Sequence, residues 1–224
     1  MQPTILYEDN HLLVLNKPVG LATMGVEAGV PSLLAWAKDD IKRRFNKPGN
    51  VYLGAMSRLD APVSGVVLFA RTSKAASRLT EQFKSRSVQK LYWALVSGKP
   101  PPTGQCVDWL EKDERHRRMH LASAVQPGAQ EARLRFRRLE VLPRACWLEV
   151  ELETGRKHQI RLQLSSRGWS VLGDRKYGSR EPFPAGIALH SRRLVCEHPT
   201  LGTAMEIEAP VPAAWHGYGV GPTK

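Results

Sequence analysis

A mixed α/β fold built on a long, mainly antiparallel sheet is the class this sequence predicts. Three observations point to it. Short apolar runs of strand length alternate with stretches whose apolar residues recur at helical spacing. The connections between them are short and turn-like, which suits antiparallel neighbours better than a doubly wound parallel sheet. The chain has 224 residues, 42% of them hydrophobic, enough for one good-sized domain or two intimately packed halves.

Ile5-Leu6-Tyr7 and Leu12-Leu13-Val14-Leu15 flank the turn Glu8-Asp9-Asn10-His11, giving a strand, a turn and a strand. Asn16-Lys17-Pro18-Val19-Gly20 ends the pair, because Pro and Gly do not continue a central strand. Pro31-Ser32 opens a helix through Leu33, Trp36, Ile41 and Phe45, with Lys42-Arg43-Arg44 in its last turn, where cations suit the dipole. Ser64 to Arg71 reads as a strand. Ser73 is placed to cap a helix through Ala76, Leu79 and Phe83. Leu91 to Val96 is again a strand. Residues 99–130 are rich in Pro and charge with weak periodicity, and are expected to hold loops and a mobile hairpin.

Arg133-Leu134-Arg135-Phe136-Arg137 alternates strictly, which puts three arginines on one face of a strand. Trp147 to Leu152 follows as its partner. A helix is expected around Ile160 to Leu164, with His158, Arg161 and Ser165 on one face. An arginine so placed reaches a carboxylate on a neighbouring loop and holds it bidentately. Ile187 to Val195 and Ala204 to Ile207 supply the last strands. Gly217, Gly219 and Gly221 are expected to end the chain as coil, and they follow no strand, so they form no dinucleotide fingerprint.

Lys and Arg number 33 against 21 acids, a net charge of +12, which favours nucleic acid or another polyanion as partner. Cys106, Cys146 and Cys196 are an odd, widely spaced set, expected to be buried thiols in a reducing compartment. Neither a leader peptide nor an apolar run of membrane length is evident, so a cytoplasmic protein without membrane contact is expected. His116 and His120 stand four apart, but no Glu lies between them and the surroundings are basic, so no metal site is assigned. Ser87-Val88-Gln89-Lys90 matches the S-x-x-K pattern without its companion motifs, and no role is assigned to it.

Asp60 is the residue that asks for a chemical explanation. It lies in Ser57-Arg58-Leu59-Asp60-Ala61-Pro62-Val63-Ser64-Gly65, on a turn feeding a buried strand in a chain built to meet a polyanion. A carboxylate there is expected to do chemistry. A second dense cluster is Thr154-Gly155-Arg156-Lys157-His158-Gln159-Ile160-Arg161, followed by Gly173-Asp174-Arg175-Lys176-Tyr177-Gly178.

Taken in order, Asn16-Lys17-Pro18-x-Gly20, Arg58-Leu59-Asp60, Ser64-Gly65, Lys90-x-Tyr92-x-Ala94-Leu95-Val96 and the two later clusters resemble the RluA-type family of RNA pseudouridine synthases. The resemblance runs from about Ile5 to Pro210. It implies the pseudouridine synthase fold, with a catalytic cleft across the middle of the sheet, and a catalytic domain over residues 1–212 followed by a tail at 213–224. It implies an isomerase acting on uridine in tRNA or rRNA, with no cofactor and no metal, as a monomer. It also implies that the chain starts directly in the catalytic domain, without an added N-terminal RNA-binding module.

The resemblance gives Asp60 the role of catalytic carboxylate, Tyr92 that of the tyrosine against the target uracil, and Arg161 that of the arginine paired with the aspartate. Arg58 matches the arginine that enters the base stack in some members. Lys17, Arg156, Lys157, His158, Arg175 and Lys176 are the expected RNA contacts, with the face of Arg133, Arg135 and Arg137. The chain departs from the family pattern at Ser57, Val63, Gln163 and Trp169, where the family usually carries other residues. A non-catalytic RNA-binding or ribosome-assembly protein on the same scaffold is the alternative reading.

Overall fold

The computed structural model describes residues 2–27, 29–116 and 118–221. The chain forms two compact units. The first comprises Met1–Val88 and Ser191–Pro210, and the second Gln89–His190 and Val211–Lys224.

In the first unit β1 (Thr4–Glu8) and β2 (Leu12–Lys17) form the expected hairpin. Asp9 sets its turn, since its Oδ1 accepts from the N–H groups of His11 and Leu12, both at 2.7 Å. β2 pairs antiparallel with β4 (Ser64–Ala70), and the short β3 (Gly54–Ala55) pairs with the far end of β4. All seven residues of β4 are buried, which explains its unbroken apolar run. Beyond β4 lie β10 (Leu189–Glu197) and its antiparallel partner β11 (Ala204–Glu208), each within two residues of the expected range.

Gly65 is required where β4 meets β10. Its φ is +114°, and a Cβ there would lie 2.2 Å from the Ser191 carbonyl oxygen. Helix α1 (Leu33–Arg44) starts where expected, with Ser32 Oγ accepting from Ala35 N–H at 3.2 Å. Helix α2 (Ser73–Lys84) is capped by Thr72 rather than Ser73, since Thr72 Oγ1 accepts from Ala75 N–H at 3.1 Å. Its buried face carries Ala75 and Leu79 into a core with Leu12, Val14, Val66, Leu68, Leu194 and Ile207.

The second unit is an antiparallel sheet in the order β5 (Gln89–Val96), β9 (Ala145–Leu152), β8 (Gln130–Leu142), β6 (Thr103–Asp113), β7 (Arg118–Ala122). The hairpin expected within 99–130 is present as β6 and β7, and the correction concerns only how much of the stretch is strand. An eleven-residue strand, β6, fills much of that stretch and continues into the hairpin with β7. Cys106 and Leu110 are fully buried in β6 while charged residues take much of the rest, so a one-sided strand hid behind its charge.

The alternation in β8 is as expected: Leu134 and Phe136 are buried, and Arg135 and Arg137 are exposed. The three arginines do not form an open basic face, because Arg133 pairs with Glu131 at 2.7 Å, Arg135 with Glu153 at 2.7 Å and Arg137 with Glu149 at 3.0 Å. Helix α3 (Gln159–Ser165) packs Leu162 against Leu110, Met119 and Ala132. Residues 213–218 are a 3-10 turn with Trp215 buried, so this part of the terminus is packed rather than coil. The expectations touching Arg117 and residues 222–224 lie outside the described residues. Cys106, Cys146 and Cys196 are free and buried. Among the described residues no helix is long and apolar enough to cross a membrane.

Candidate functional site

The candidate residues divide between the units. Asp60, Arg58 and Lys17 belong to the first, and Tyr92, Arg161, Arg156, Lys157, His158, Arg175 and Lys176 to the second.

Asp60 lies on the loop between β3 and β4, and that loop is clamped at almost every residue. Ser57 Oγ accepts from Leu68 N–H of β4 at 3.0 Å. Thr23 brackets Leu59: its Oγ1 accepts from Leu59 N–H at 3.0 Å and donates to Leu59 C=O at 2.9 Å. Ala61 C=O accepts from Gly20 N–H at 2.8 Å and from Lys17 Nζ at 3.2 Å. Val63 N–H closes the turn on Asp60 C=O at 3.0 Å. Leu59 and Val63 are buried, so the loop is pinned by its side chains as well. Asp60 between them is half-buried, and Arg58 is exposed. Thr23 and Ala22 are themselves held by the start of α1, through Leu34 N–H and Leu33 N–H at 3.0 and 2.9 Å. A helix N-terminus thus braces the segment that braces the aspartate loop.

Lys17 departs from its expected role. Its side chain is fully buried, and Nζ also donates to Pro18 C=O at 2.9 Å and Leu21 C=O at 2.6 Å. With all three protons taken by carbonyls, it has none to offer a phosphate. Burial pulls its pKa down to about 8, opposed by the negative charge of Asp60. At neutral pH it therefore remains a cation facing Asp60, and its work is to hold the loop. Lys17 is corrected from an RNA contact to a positioning residue.

In the second unit Tyr92 lies on β5, opposite Val150 of β9, and is 9% exposed. Arg161 on α3 holds Asp174 bidentately, Nε to Oδ2 at 2.7 Å and an Nη to Oδ1 at 2.9 Å. The side chains are 6% and 2% exposed, so this is a buried, charge-assisted pair. The Arg161 guanidinium also lies 5.1 Å from the Tyr177 ring centroid. Tyr177 is fixed at its hydroxyl, which accepts from Met119 N–H at 2.9 Å and shares a hydrogen bond with His158 Nδ1 at 2.7 Å. Its carbonyl is held by the hydroxyls of Ser165 and Ser170 at 2.5 and 3.1 Å.

His158 is not on the helix face expected of it. It immediately precedes α3 in the left-handed region, φ 53°, a conformation that a non-glycine residue adopts at a cost. Gln159 secures the loop before it, accepting through Oε1 from Thr154 Oγ1 at 2.8 Å and Arg156 N–H at 2.9 Å. Arg156 spends its Nε on Glu131 C=O at 2.9 Å, whereas Lys157, Arg175 and Lys176 are exposed.

Thr23 and the holding roles of Asp174 and Tyr177 were missed from sequence. The motif Gly173-Asp174-x-x-Tyr177-Gly178 carried a signal for the last two, and Thr23 carried none. The departures from the family pattern have structural uses. Ser57 accepts from the Leu68 N–H within β4, Val63 is buried, buried Gln163 donates to Asp108 at 2.7 Å and Ala132 C=O at 3.0 Å, and Trp169 packs edge-on to Phe136 at 5.4 Å.

A family model described as RNA pseudouridylate synthase matches residues 11–166. The chain belongs to that family. The match takes in both the clamped Asp60 loop and the Arg161 helix. Among curated relatives of this pseudouridylate synthase-family chain, an RNA pseudouridine synthase of Chloroflexus aurantiacus is 38% identical over 167 residues, 74% of this chain and 52% of that protein. The ribosomal large subunit pseudouridine synthase C of Vibrio vulnificus is 34% identical over 220 residues, 94% of this chain and 66% of that protein. The chain thus spans between about half and two thirds of the length of these two relatives. A human structure, RNA pseudouridylate synthase domain containing 4, is similar with a TM-score of 0.77 at 23% identity, covering 95% of this chain and 91% of that one. That likeness shows the fold: mixed α/β with a large, mostly antiparallel sheet.

Proposed function

We propose that this chain isomerises uridine to pseudouridine in RNA, with Asp60 as the catalytic carboxylate. The observation that carries the reading is the clamp on the Asp60 loop. A half-buried carboxylate is held by Thr23, Gly20, Lys17 and Ser57 through backbone bonds on both sides of it. Such restraint is what a reaction that depends on attack geometry requires.

The reaction breaks the N1–C1′ bond, turns the uracil and joins C5 to C1′. C5 loses a proton and N1 gains one, so atoms and electrons balance without an outside reactant. Asp60 acts at C1′ as it becomes electron-poor, as nucleophile or electrostatic partner, and Lys17 keeps a positive charge near it. Tyr92 offers a flat face to the uracil and a hydroxyl for proton transfer. Arg161 is proposed as the arginine that steadies the carboxylate chemistry. Its own bidentate grip on Asp174 supports this by fixing the guanidinium rather than leaving it to solvent.

The target nucleotide must leave its stack, at a cost of a few kcal/mol. Exposed Arg58 fills the gap with its guanidinium plane. Exposed Lys157, Arg175 and Lys176, with His158 and Arg156 behind them, meet the phosphates. Ribosomal RNA and tRNA are the candidate substrates, and the cytoplasm is where a monomer of this kind would meet them. Mapping pseudouridine in total RNA from cells with and without the gene tests the reading, which expects one or more sites to vanish with it.

A further inference from the structure

The β8–β9 hairpin turns through Pro143 and Arg144, with Leu142 opposite Ala145. Beside it, in the same unit, is an open groove of about 380 Å³ lined by Arg144, Pro182, Phe183, Pro184 and Tyr218, among others. The volume lies within the range of small-ligand sites, about 300–1,000 Å³. The aromatic walls are held in place. Phe183 lies 5.5 Å from Tyr218, and 6.1 Å edge-on from buried Trp215. The Tyr218 hydroxyl donates to Pro182 C=O at 3.1 Å.

Arg144 is exposed, its guanidinium is 5.7 Å from the Tyr218 ring centroid, and among the described residues it forms no ion pair. Among the described residues no acidic one lines the groove. The same wall is joined to the Arg161 cluster. Gly173 N–H donates to Glu181 C=O at 2.9 Å, and a Cβ on Gly173 would lie 2.8 Å from Phe183 Cβ. Gly173 precedes Asp174, the carboxylate gripped by Arg161. The segment closed off by that bond carries Arg175, Lys176 and Arg180, all exposed.

We propose that this groove is a nucleotide subsite for an unpaired base of the RNA other than the uridine being modified. The base stacks on Tyr218 and Phe183, and Arg144 meets its phosphate. The inference rests on RNA being the substrate of this chain. Flat rings beside an uncompensated cation suit a base with its phosphate. A net charge of +12 favours the polyanion over a proline-rich peptide, the other chemistry such walls accept.

The test is fluorescence anisotropy of the full chain with a short, fluorescein-labelled single-stranded oligoribonucleotide of mixed sequence. Arg144→Ala and Tyr218→Leu are each expected to weaken binding by about five-fold or more, the size of one lost stacking contact. Arg144→Lys is expected to recover part of the loss by restoring the charge. Arg144 sits exposed on a turn, so its variants carry the test even if Tyr218→Leu fails to fold. A wild-type chain that ignores the oligonucleotide would refute the RNA reading itself. Wild-type binding that Arg144→Ala leaves unchanged would overturn the groove alone. So would binding of a proline-rich peptide that is lost in Arg144→Ala while oligonucleotide binding survives.

Discussion

The Lys17 ammonium donates to the Ala61 carbonyl at 3.2 Å, one residue beyond Asp60. A fully buried cation thus ties the end of β2 to the loop that presents the carboxylate. Because desolvation lowers its pKa to about 8 from 10.5, Lys17 binds fewer protons in the folded than in the unfolded chain between those values. Stability therefore rises with pH in that window, as the cost of a buried charge is relieved. Relative to Lys17→Met, the wild type should gain about 3 kcal/mol from pH 8 to 10.5, measured by urea unfolding at each pH. A flat difference would show that the three carbonyls compensate the burial in full.

Thr23 Oγ1 serves both the N–H and the C=O of Leu59. Thr23→Val keeps the shape and removes both bonds, at an expected cost of about 1–3 kcal/mol in urea unfolding. Turnover should fall further than RNA affinity, since the Asp60 loop loosens while the exposed basic residues stay as they are.

Asp174 is 2% exposed at its side chain and takes two bonds from Arg161. Asp174→Ala removes the bidentate acceptor of a buried guanidinium and should cost about 3–5 kcal/mol. Asp174→Asn keeps one acceptor and should cost less. Thermal unfolding of both variants orders the two effects.

RNA affinity should fall steeply with salt, because Lys157, Arg175 and Lys176 are exposed cations that release counterions on binding. Each alanine substitution there should lower the slope of log K against log salt by about 0.7 if it meets a single-stranded phosphate. Lys17→Met should leave the slope unchanged, because its ammonium is committed to carbonyls.

Much of this was legible in the residues because local physics decided it. The apolar run at 64–70 could only be a buried strand, and Ser32 before an apolar periodicity could only start a helix. Within residues 99–130 the hairpin was legible but the length of β6 was not, because a strand with one solvated face and many charges looks like loop when its partners are unknown. Lys17 misled because lysine is ordinarily a surface residue, and its cage is built from backbone carbonyls that no side-chain pattern announces. Thr23 lies 36 positions from Leu59, so only the folded chain brings the clamp together. His158 read as helical because spacing does not reveal a left-handed backbone. The position of Asp60, on a turn feeding a buried strand, was the clearest signal, and the structure added how firmly its loop is held.

The most direct measurement is pseudouridine formation by Asp60→Ala alongside its binding of the same RNA. The account predicts that product formation is lost while affinity stays within a few-fold of wild type and the variant unfolds at a similar temperature. Retained pseudouridine formation, or equal loss of binding and product in a folded variant, would contradict Asp60 as the catalytic carboxylate.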